Sequence, residues 1–309
     1  MKKFFPEANE LSINNSLSTA EGYFYDHRAN GLIEKHYLNR TAVLLIISGI
    51  PGMAYAIEGG ESKSILLSEF SLTEGETSQI RVVDLPDIAG RLTWLSLESH
   101  AKDRFSLTGN DLWQKQLAQW NQDRWNGLVE ITAEKLHGFV FFWHGEIQPS
   151  EIIFSTPQGF ITDFPALAGT NDLVWEITLY AHSNLAQAYQ CAILRNGVGN
   201  WSHQILSRYR DIVGEKLLQM MDRELNRQIQ PWQWNITLDD RILTDTHFFP
   251  TLSEAVNAYR ALFMEMGMQM DFVIGSNLTK RILNETFEQI HPEERTILFS
   301  QRLIPAAFS

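Results

Sequence analysis

Part of this chain occurs twice, and that repetition constrains the fold more strongly than any other feature of the sequence. Residues 124–153 align without a gap on residues 28–57, with seven identities in 30 positions. Both copies carry the run Asn-Gly-Leu-x-Glu and place a glycine, Gly49 or Gly145, at the same position. β-Branched and aromatic residues cluster between these breakers, which is typical of strands joined by tight turns. The sequence therefore predicts two related three-stranded meanders.

The surrounding elements follow from the same kinds of pattern. The meander strands are predicted at 30–35, 41–47 and 53–57, and again at 128–131, 139–143 and 147–154. Apolar spacing, caps and prolines further predict a short helix at 65–70, a strand at 80–83, helices at 86–97 and from about residue 108, and a strand at 173–180.

A second repetition lies in the C-terminal part of the chain. Residues 213–243 align on residues 274–304 with eight identities in 31 positions. Apolar residues recur at helical spacing in each copy, and each helix is expected to stop at Pro231 or Pro292, because the residue before proline avoids the α region. Alternating residues after each proline predict a strand. The structural turns expected from both repetitions are Gly49, Gly145, Gly214, Gly275, Pro231 and Pro292.

Other segments of the C-terminal part carry local signals. A capping box at Thr251-Leu252-Ser253-Glu254 predicts the start of another helix. Residues 185–194 fit either a helix or a strand, and the glycines of residues 195–199 predict a turn.

These patterns predict an α+β protein built from two related N-terminal modules and an internally repeated helix-strand domain. The expected boundaries are a flexible lead at residues 1–20, a first module at 20–105, a second module at 106–168 and a C-terminal domain at 170–309.

Charge and composition exclude several classes of partner. The chain has 37 acidic and 25 basic residues, a net charge of −12, and its basic residues are scattered, so the footprint of a nucleic-acid or anionic-membrane binder is missing. The longest apolar run, residues 42–50, is about half a membrane span. The one cysteine, Cys191, leaves no internal disulfide, which suits a reducing compartment. We expect a cytoplasmic protein with no membrane span and no nucleic-acid partner.

Motifs for common chemistries are missing or incomplete. His144-Gly145-Glu146 has the H-x-E form of zinc deaminases, but that site needs two further cysteine ligands, and Cys191 is the only cysteine. The HExxH, GxSxG, GxxxxGK[ST] and GxGxxG motifs do not occur. We expect a hairpin turn at His144, an inert buried thiol at Cys191, and neither a metal nor a cofactor.

One acidic segment keeps an enzymatic alternative open. Asp239, Asp240, Asp245 and His247 lie within nine residues, and such groups can serve a metal or acid–base site. Adjacent residues of a strand point to opposite faces, so at most one of Asp239 and Asp240 can join His247 without a bulge. We favour a solvated loop over a catalytic role.

Methionines and tryptophans supply candidate interaction surfaces. Met264, Met266, Met268 and Met270 cover opposite sides of one predicted helix, because residues two apart on a helix diverge by about 200°. Such a helix is buried among several elements or lies in an interface. The tryptophans near the second meander fit core packing or an aromatic recognition surface. The partner-binding candidates are Trp113, Trp120, Trp143, Met264 and Met268.

The second meander resembles the PATAN-type domains of bacterial signalling and motility-related proteins. The resemblance rests on Gly-Leu-Val-Glu-Ile at residues 127–131, on Gly-Phe-Val-Phe-Phe-Trp-His-Gly-Glu-Ile at 138–147, and on the small residue Ser150. It covers about 60 residues and departs from the family pattern at Gln148-Pro149. The resemblance implies a regulatory, protein-binding role in a bacterium without chemistry of its own.

Three functions remain in view from the sequence. The first is a non-catalytic signalling adaptor that binds another protein or itself as a homodimer. The second is a sensor that binds a small molecule in the cleft between the duplicated halves. The third is a hydrolytic or metal-assisted enzyme that uses Asp240, Asp245 and His247.

Overall fold

The computed structural model describes residue 5 and residues 10–11, 16–72, 79–134, 136–162 and 174–303. These residues form two compact units that divide after Ala186. The combination of helices with several sheets confirms the predicted α+β class. The predicted module end at residue 168, the domain start at 170 and the repeat end at 304 lie outside the described residues, as does most of the predicted lead.

The first half of unit 1 is a five-stranded antiparallel sheet with helices beside it. The elements are α1 (Leu17–His27), β1 (Gly31–His36), β2 (Arg40–Ile47), β3 (Ile50–Glu58), β4 (Glu61–Ile65), α2 (Leu67–Leu72), β5 (Gln79–Asp84) and α3 (Asp87–Leu97). The sheet has the strand order β4-β3-β2-β1-β5, so the predicted meander forms its centre.

The second half of unit 1 is a six-stranded antiparallel sheet with a helix against it. Its elements are β6 (His100–Thr108), α4 (Asn110–Gln122), β7 (Gly127–Ala133), β8 (Leu136–Trp143), β9 (Glu146–Thr156), β10 (Gly159–Ile161) and β11 (Val174–Ala181). The strand order is β10-β9-β8-β7-β11-β6.

The two meanders use the same local devices. Asn30 accepts a hydrogen bond from the backbone N–H of Ser48, and Asn126 accepts one from the N–H of His144. Gly49 and Gly145 have φ of 83° and 82° and sit against the backbone of the preceding helix, where a Cβ would lie 2.7 Å and 2.6 Å from backbone atoms. Glycine suits both constraints. The common origin of the two copies stays a prediction.

Helices cover one face of each sheet, and the opposite faces turn toward each other. Side chains of α1, α2 and the first sheet form one core, which includes Phe24, Ile33 and Phe70. Side chains of α4 and the second sheet form another, which includes Trp113 and Trp120. Helix α3 lies between the sheets, in contact with β2 and with β7, β8 and β9. Its residues from Ala89 to Leu97 are all buried.

Unit 1 corrects several sequence predictions. Residues 17–20, which we placed in a flexible lead, are the first turn of α1, and Ser16 caps that helix by accepting from the N–H of Thr19. Strands β4, β6 and β10 were not predicted. All three are edge strands. Strands β4 and β6 are rich in charged residues, so they lack the apolar pattern of the central strands.

Unit 2 is mainly helical. Trp201 lies at the centre of its core, where it packs against Phe263 and Phe287 and donates from Nε1 to the Thr286 hydroxyl at 3.1 Å. The elements are α5 (Gln187–Val213), α6 (Glu215–Ile229), a 3₁₀ turn (Gln230–Trp232), β12 (Ile236–Asp239), β13 (Ile242–Asp245), α7 (Leu252–Ile274), α8 (Ser276–Phe287) and α9 (Pro292–Ser300).

The helices of unit 2 break at glycine. Gly214 joins α5 to α6 and Gly275 joins α7 to α8, with φ of 82° and 79°, which favour glycine. Gly214 and Gly275, which we expected at structural turns, lie at these two breaks. Pro231 lies in the 3₁₀ turn before β12, as a stop signal should. The predicted strand after Pro292 is wrong, because Pro292 opens α9 as its first residue.

Residues 195–199 are not a turn but part of α5. A Cβ on Gly197 would lie 3.2 Å from the Cβ of Glu294 and 3.4 Å from the side chain of Leu298. The glycine therefore serves close packing of α5 on α9. The segment 185–194, for which helix and strand were both open, begins α5 at Gln187.

Candidate ligand-binding cleft

A polar cleft of about 630 Å³ opens between the two sheets of unit 1. One side of the cleft, its floor, is formed by the second sheet. The opposite side is formed by the β1–β2 and β3–β4 turns of the first sheet and the residues next to them. The lining residues are Leu38, Asn39, Arg40, Thr41, Ile57, Gly59, Gly60, Arg104, Glu130, Thr132, Glu176 and Thr178.

The floor consists of two polar cross-strand rows. Thr178 of β11 pairs with Arg104 of β6 on one side and Glu130 of β7 on the other. One step along, Glu176 pairs with Ser106 and Thr132. Residues directly opposite in neighbouring strands project on the same side of a sheet. These six side chains therefore form one continuous polar surface.

The opposite face of the same strands is apolar. Val129, Ile131 and Ile177 alternate with the floor residues and pack in the core under α4. Strand alternation thus separates a conventional core face from a polar face. Glu130 is buried and Thr178 is half-buried, whereas Arg104, Ser106, Thr132 and Glu176 are exposed, so this polar face is accessible to water.

The two arginines of the cleft lie at its rim. The Arg40 guanidinium stands over the Tyr37 ring, 4.9 Å from the ring centre. The Arg104 guanidinium lies under the β3–β4 turn, where a Cβ on Gly60 would be 3.6 Å from its Nη2. Within the described ranges, neither guanidinium makes an ion pair with a carboxylate or donates a hydrogen bond.

The two glutamates of the cleft are held differently. Glu176 accepts one hydrogen bond, from the Ser106 hydroxyl at 2.9 Å, and is exposed. Glu130 is buried, and its carboxylate accepts from His137 Nε2 at 2.8 Å and from the Tyr180 hydroxyl. Burial, and then the charge of Glu130, raise the pKa of Tyr180 well above its usual range. The phenol therefore stays protonated and keeps donating to Glu130.

A chain of buried hydrogen bonds connects Thr41 and Glu130, which both line the cleft. The Thr41 hydroxyl donates a hydrogen bond to His36 Nδ1 at 3.3 Å, and His36 Nε2 donates to Glu34 at 2.9 Å. Glu34 also accepts from Arg81 at 3.1 Å. The backbone of Phe5 then links the sheets, because its carbonyl accepts from Arg81 at 2.7 Å and its N–H donates to His137 Nδ1 at 3.2 Å. Since Nδ1 of His137 accepts, the ring proton lies on Nε2 and points at Glu130.

Ser99 and His182 form a pair that resembles a nucleophile and its base but cannot act as one. The backbone N–H of Leu128 donates to His182 Nε2 at 2.9 Å, so the ring proton is on Nδ1 and points at the Ser99 hydroxyl, 2.5 Å away. Ser99 in turn donates to the carbonyl of Leu95. Burial lowers the pKa of His182 to about 4. The histidine is therefore a neutral donor to Ser99 and has no lone pair with which to accept its proton.

The predicted catalytic group of unit 2 does not converge. Asp240 lies exposed at the tip of the β12–β13 hairpin, next to Arg241, whereas Asp245 pairs with Ile236 at the other end of that hairpin. Asp245 is buried, and its carboxylate accepts hydrogen bonds from Arg195 Nε at 2.9 Å, from the Tyr259 hydroxyl and from the N–H of His247 at 2.8 Å. Its oxygens hold the fold of this corner and are not available to a substrate.

A second cluster of acidic residues lies near the tip of the β12–β13 hairpin. Asp222 of α6 is 6 % exposed, and its Oδ1 has no hydrogen-bond partner among the described residues. Burial raises the pKa of Asp222 to about 6, and the charges of Asp239, Asp240 and Glu215 add to the effect, against a hydrogen bond from the N–H of Asp240. The Asp222 carboxyl thus accepts a hydrogen bond from the backbone, and the fold favours its protonated form.

The tryptophan candidates are core residues. Trp113 and Trp120 of α4 are buried against the second sheet with their rings 5.8 Å apart, and Trp143 is buried on β8. These large apolar rings are used for packing, and a role of Trp113, Trp120 and Trp143 in partner binding stays a prediction.

The methionines of α7 divide as the helical period requires. Met266 and Met270 are fully buried, whereas Met264 and Met268 are 48 % and 54 % exposed. Phe272, one turn further, is 91 % exposed. Met264, Met268 and Phe272 follow the i, i+4, i+8 spacing and therefore form one apolar ridge along the helix, which we call the α7 ridge.

The remaining predicted features have ordinary positions. His144 and Gly145 form the β8–β9 turn, and Cys191 is buried on α5. The sequence did not single out any cleft residue. The available signal was charge on alternate positions of predicted strands, at Glu130 and Glu176, and that signal is also typical of a sheet face open to water.

No protein-family model, no curated protein and no solved structure matches this chain. Across the part of the chain that is described, no helix has both the length and the apolar character of a membrane span.

Proposed function

We propose that this protein is a non-catalytic sensor whose unit 1 binds a small polar molecule in the cleft between its sheets. The observation that carries the proposal is the polar floor, five of whose side chains line a cavity of about 630 Å³, a size typical of small-molecule sites. The buried network from Thr41 to Glu130 supports it, because a rigid second layer of hydrogen bonds pre-organises the residues that a ligand would meet.

A thermal-shift screen tests this function. We expect at least one class among amino acids, dicarboxylates, diamines and sugars to raise the unfolding temperature of the full chain, since a ligand at about 100 times its Kd adds about 2.7 kcal/mol to the folded state. Thr178→Phe places a ring on the floor while keeping a strand-forming residue, and it should abolish the shift.

Thr237→Phe is the matched control, because Thr237 is exposed on a strand of unit 2. It should keep the shift. If no class stabilises the wild type, or if Thr178→Phe responds like Thr237→Phe, the cleft is not the binding site.

The α7 ridge supports a second function, the adaptor role. Three exposed apolar side chains in one line are a surface that water solvates poorly, and the i±4 ridges of two identical helices can interdigitate around a two-fold axis. The occupant in this proposal is a second copy of the chain. The PATAN resemblance points the same way but stays a prediction.

Self-association can be measured by light scattering over a range of concentrations. Met264→Glu with Met268→Glu should weaken dimerisation at least tenfold, because two charges would have to be buried against apolar side chains. Ile50→Glu with Leu185→Glu places the same charges on exposed apolar positions of unit 1 and should leave it unchanged. A wild type that is monomeric at every concentration contradicts this role.

A further inference from the structure

The charged groups of the cleft define the kind of molecule that it would accept. Its lining contains two arginines, Arg40 and Arg104, and two glutamates, Glu130 and Glu176, so its formal charge is zero in a chain with a net charge of −12. A balanced set of charges in a concave site favours a ligand that is itself balanced, since any unpaired charge loses hydration without compensation.

The arginines form the anion-binding side. They enter the cleft from different elements, β2 and β6, and the described residues offer neither of them a carboxylate partner. Guanidinium groups match the geometry of carboxylate and phosphate oxygens and lose little on partial dehydration. Arg40 is additionally oriented by the Tyr37 ring.

Glu176 forms the cation-binding side. It belongs to the floor row next to that of Arg104, and one hydroxyl donor, Ser106, leaves most of the acceptor capacity of its carboxylate open. Glu130 is deeper, and both of its oxygens are already used by His137 and Tyr180. The hydroxyls of Thr132 and Thr178 separate the two glutamates and add neutral hydrogen-bonding groups.

We infer that the cleft binds a small zwitterion, with its carboxylate or phosphate between Arg40 and Arg104 and its ammonium group on Glu176. This inference rests on the proposed function, because it names the ligand class of the same cleft. A dianion would place one end against Glu176, and a dication would place one end against the arginines, so each would meet a like charge.

A matched series of probes separates these classes. The ω-amino acids of two to six carbons are compared by calorimetry with the diacids and diamines of the same lengths, and an aminoalkyl phosphate series distinguishes phosphate from carboxylate. We expect an ω-amino acid or an aminoalkyl phosphate to bind at least tenfold more tightly than the diacid and diamine of equal length.

Single substitutions identify the residues that bind each end of the ligand. Arg40→Gln and Arg104→Gln should each weaken zwitterion binding at least tenfold, while Lys115→Gln, which removes a positive charge on α4 beyond the other face of the sheet, should not. Glu176→Gln should weaken the zwitterion and strengthen the diacid. Unfolding temperatures without ligand identify any variant that fails to fold.

The outcomes keep the inference separate from the proposed function. Preferred binding of a diacid, a diamine or a sugar, blocked by Thr178→Phe, overturns the zwitterion and leaves the cleft as a binding site. Zwitterion binding that survives both arginine substitutions also overturns the inference. Binding of nothing in either screen overturns both.

Discussion

Asp245→Asn is expected to destabilise the protein by about 3–5 kcal/mol, because it removes the counter-charge of a buried guanidinium. Arg195 and Asp245 are 6 % and 3 % exposed in their side chains and lie 2.9 Å apart, Nε to Oδ2. The asparagine has no charge and only one carbonyl oxygen, so it cannot replace both Oδ1, which accepts from the N–H of His247, and Oδ2, which accepts from Tyr259. Urea unfolding followed by circular dichroism measures the loss.

Asp240→Asn provides the control for Asp245. Its side chain is 58 % exposed and pairs only at the surface with Arg241, so a change below about 1 kcal/mol is expected. Equal effects of the two substitutions would contradict the structural role of Asp245. Arg195→Met combined with Asp245→Asn should cost less than the sum of the single variants, because the stranded charge is then absent.

Asp222→Asn is expected to stabilise the protein by about 2–3 kcal/mol at about pH 8 and to have almost no effect at about pH 4. The folded-state pKa of about 6 lies above the ordinary value of 3.8, so the fold favours the protonated carboxyl. The contribution of Asp222 to stability is therefore complete below about pH 4 and is lost as the pH rises through about 6. Asparagine is neutral throughout and can still accept from the N–H of Asp240.

The measurement is the difference in unfolding free energy between Asp222→Asn and the wild type at the two pH values. This difference isolates Asp222 from the other titrating groups. Asp211→Asn, at an exposed acid beside Arg210, should show no such gain. A gain of equal size at both pH values would mean that charge on Asp222 is not its cause.

The central strands and long helices could be predicted because their sequences repeat a strong physical constraint. Strands β2 and β8 are buried on both faces, so their apolar runs are continuous, and helices such as α7 carry an apolar stripe behind a capping threonine. Where the constraint is weak, prediction failed. Strands β4 and β6 are charged, and Gly197 serves close helix packing, which a single sequence does not distinguish from a turn.

The candidate site could not be predicted for a different reason. Arg40, Arg104 and Glu176 lie on three strands that are far apart in sequence. Arg104 and Glu176 are brought together by the pairing of β11 with β6, and Arg40 lines the same cavity from the first sheet. No local spacing encodes that pairing. Conversely, Asp240 and Asp245 are close in sequence and lie at opposite ends of a hairpin. Proximity in the chain suggested a site there, and strand register separates its members.

The position of Phe5 has a consequence for the order in which unit 1 can be completed. Its carbonyl and N–H are bound by residues 76 and 132 positions further along the chain. During synthesis this residue leaves the ribosome long before either partner exists, and contacts of such separation form late because the loop they close is long. The buried network that connects Thr41 with Glu130 therefore requires both sheets, and it cannot be complete before His137 has been synthesised.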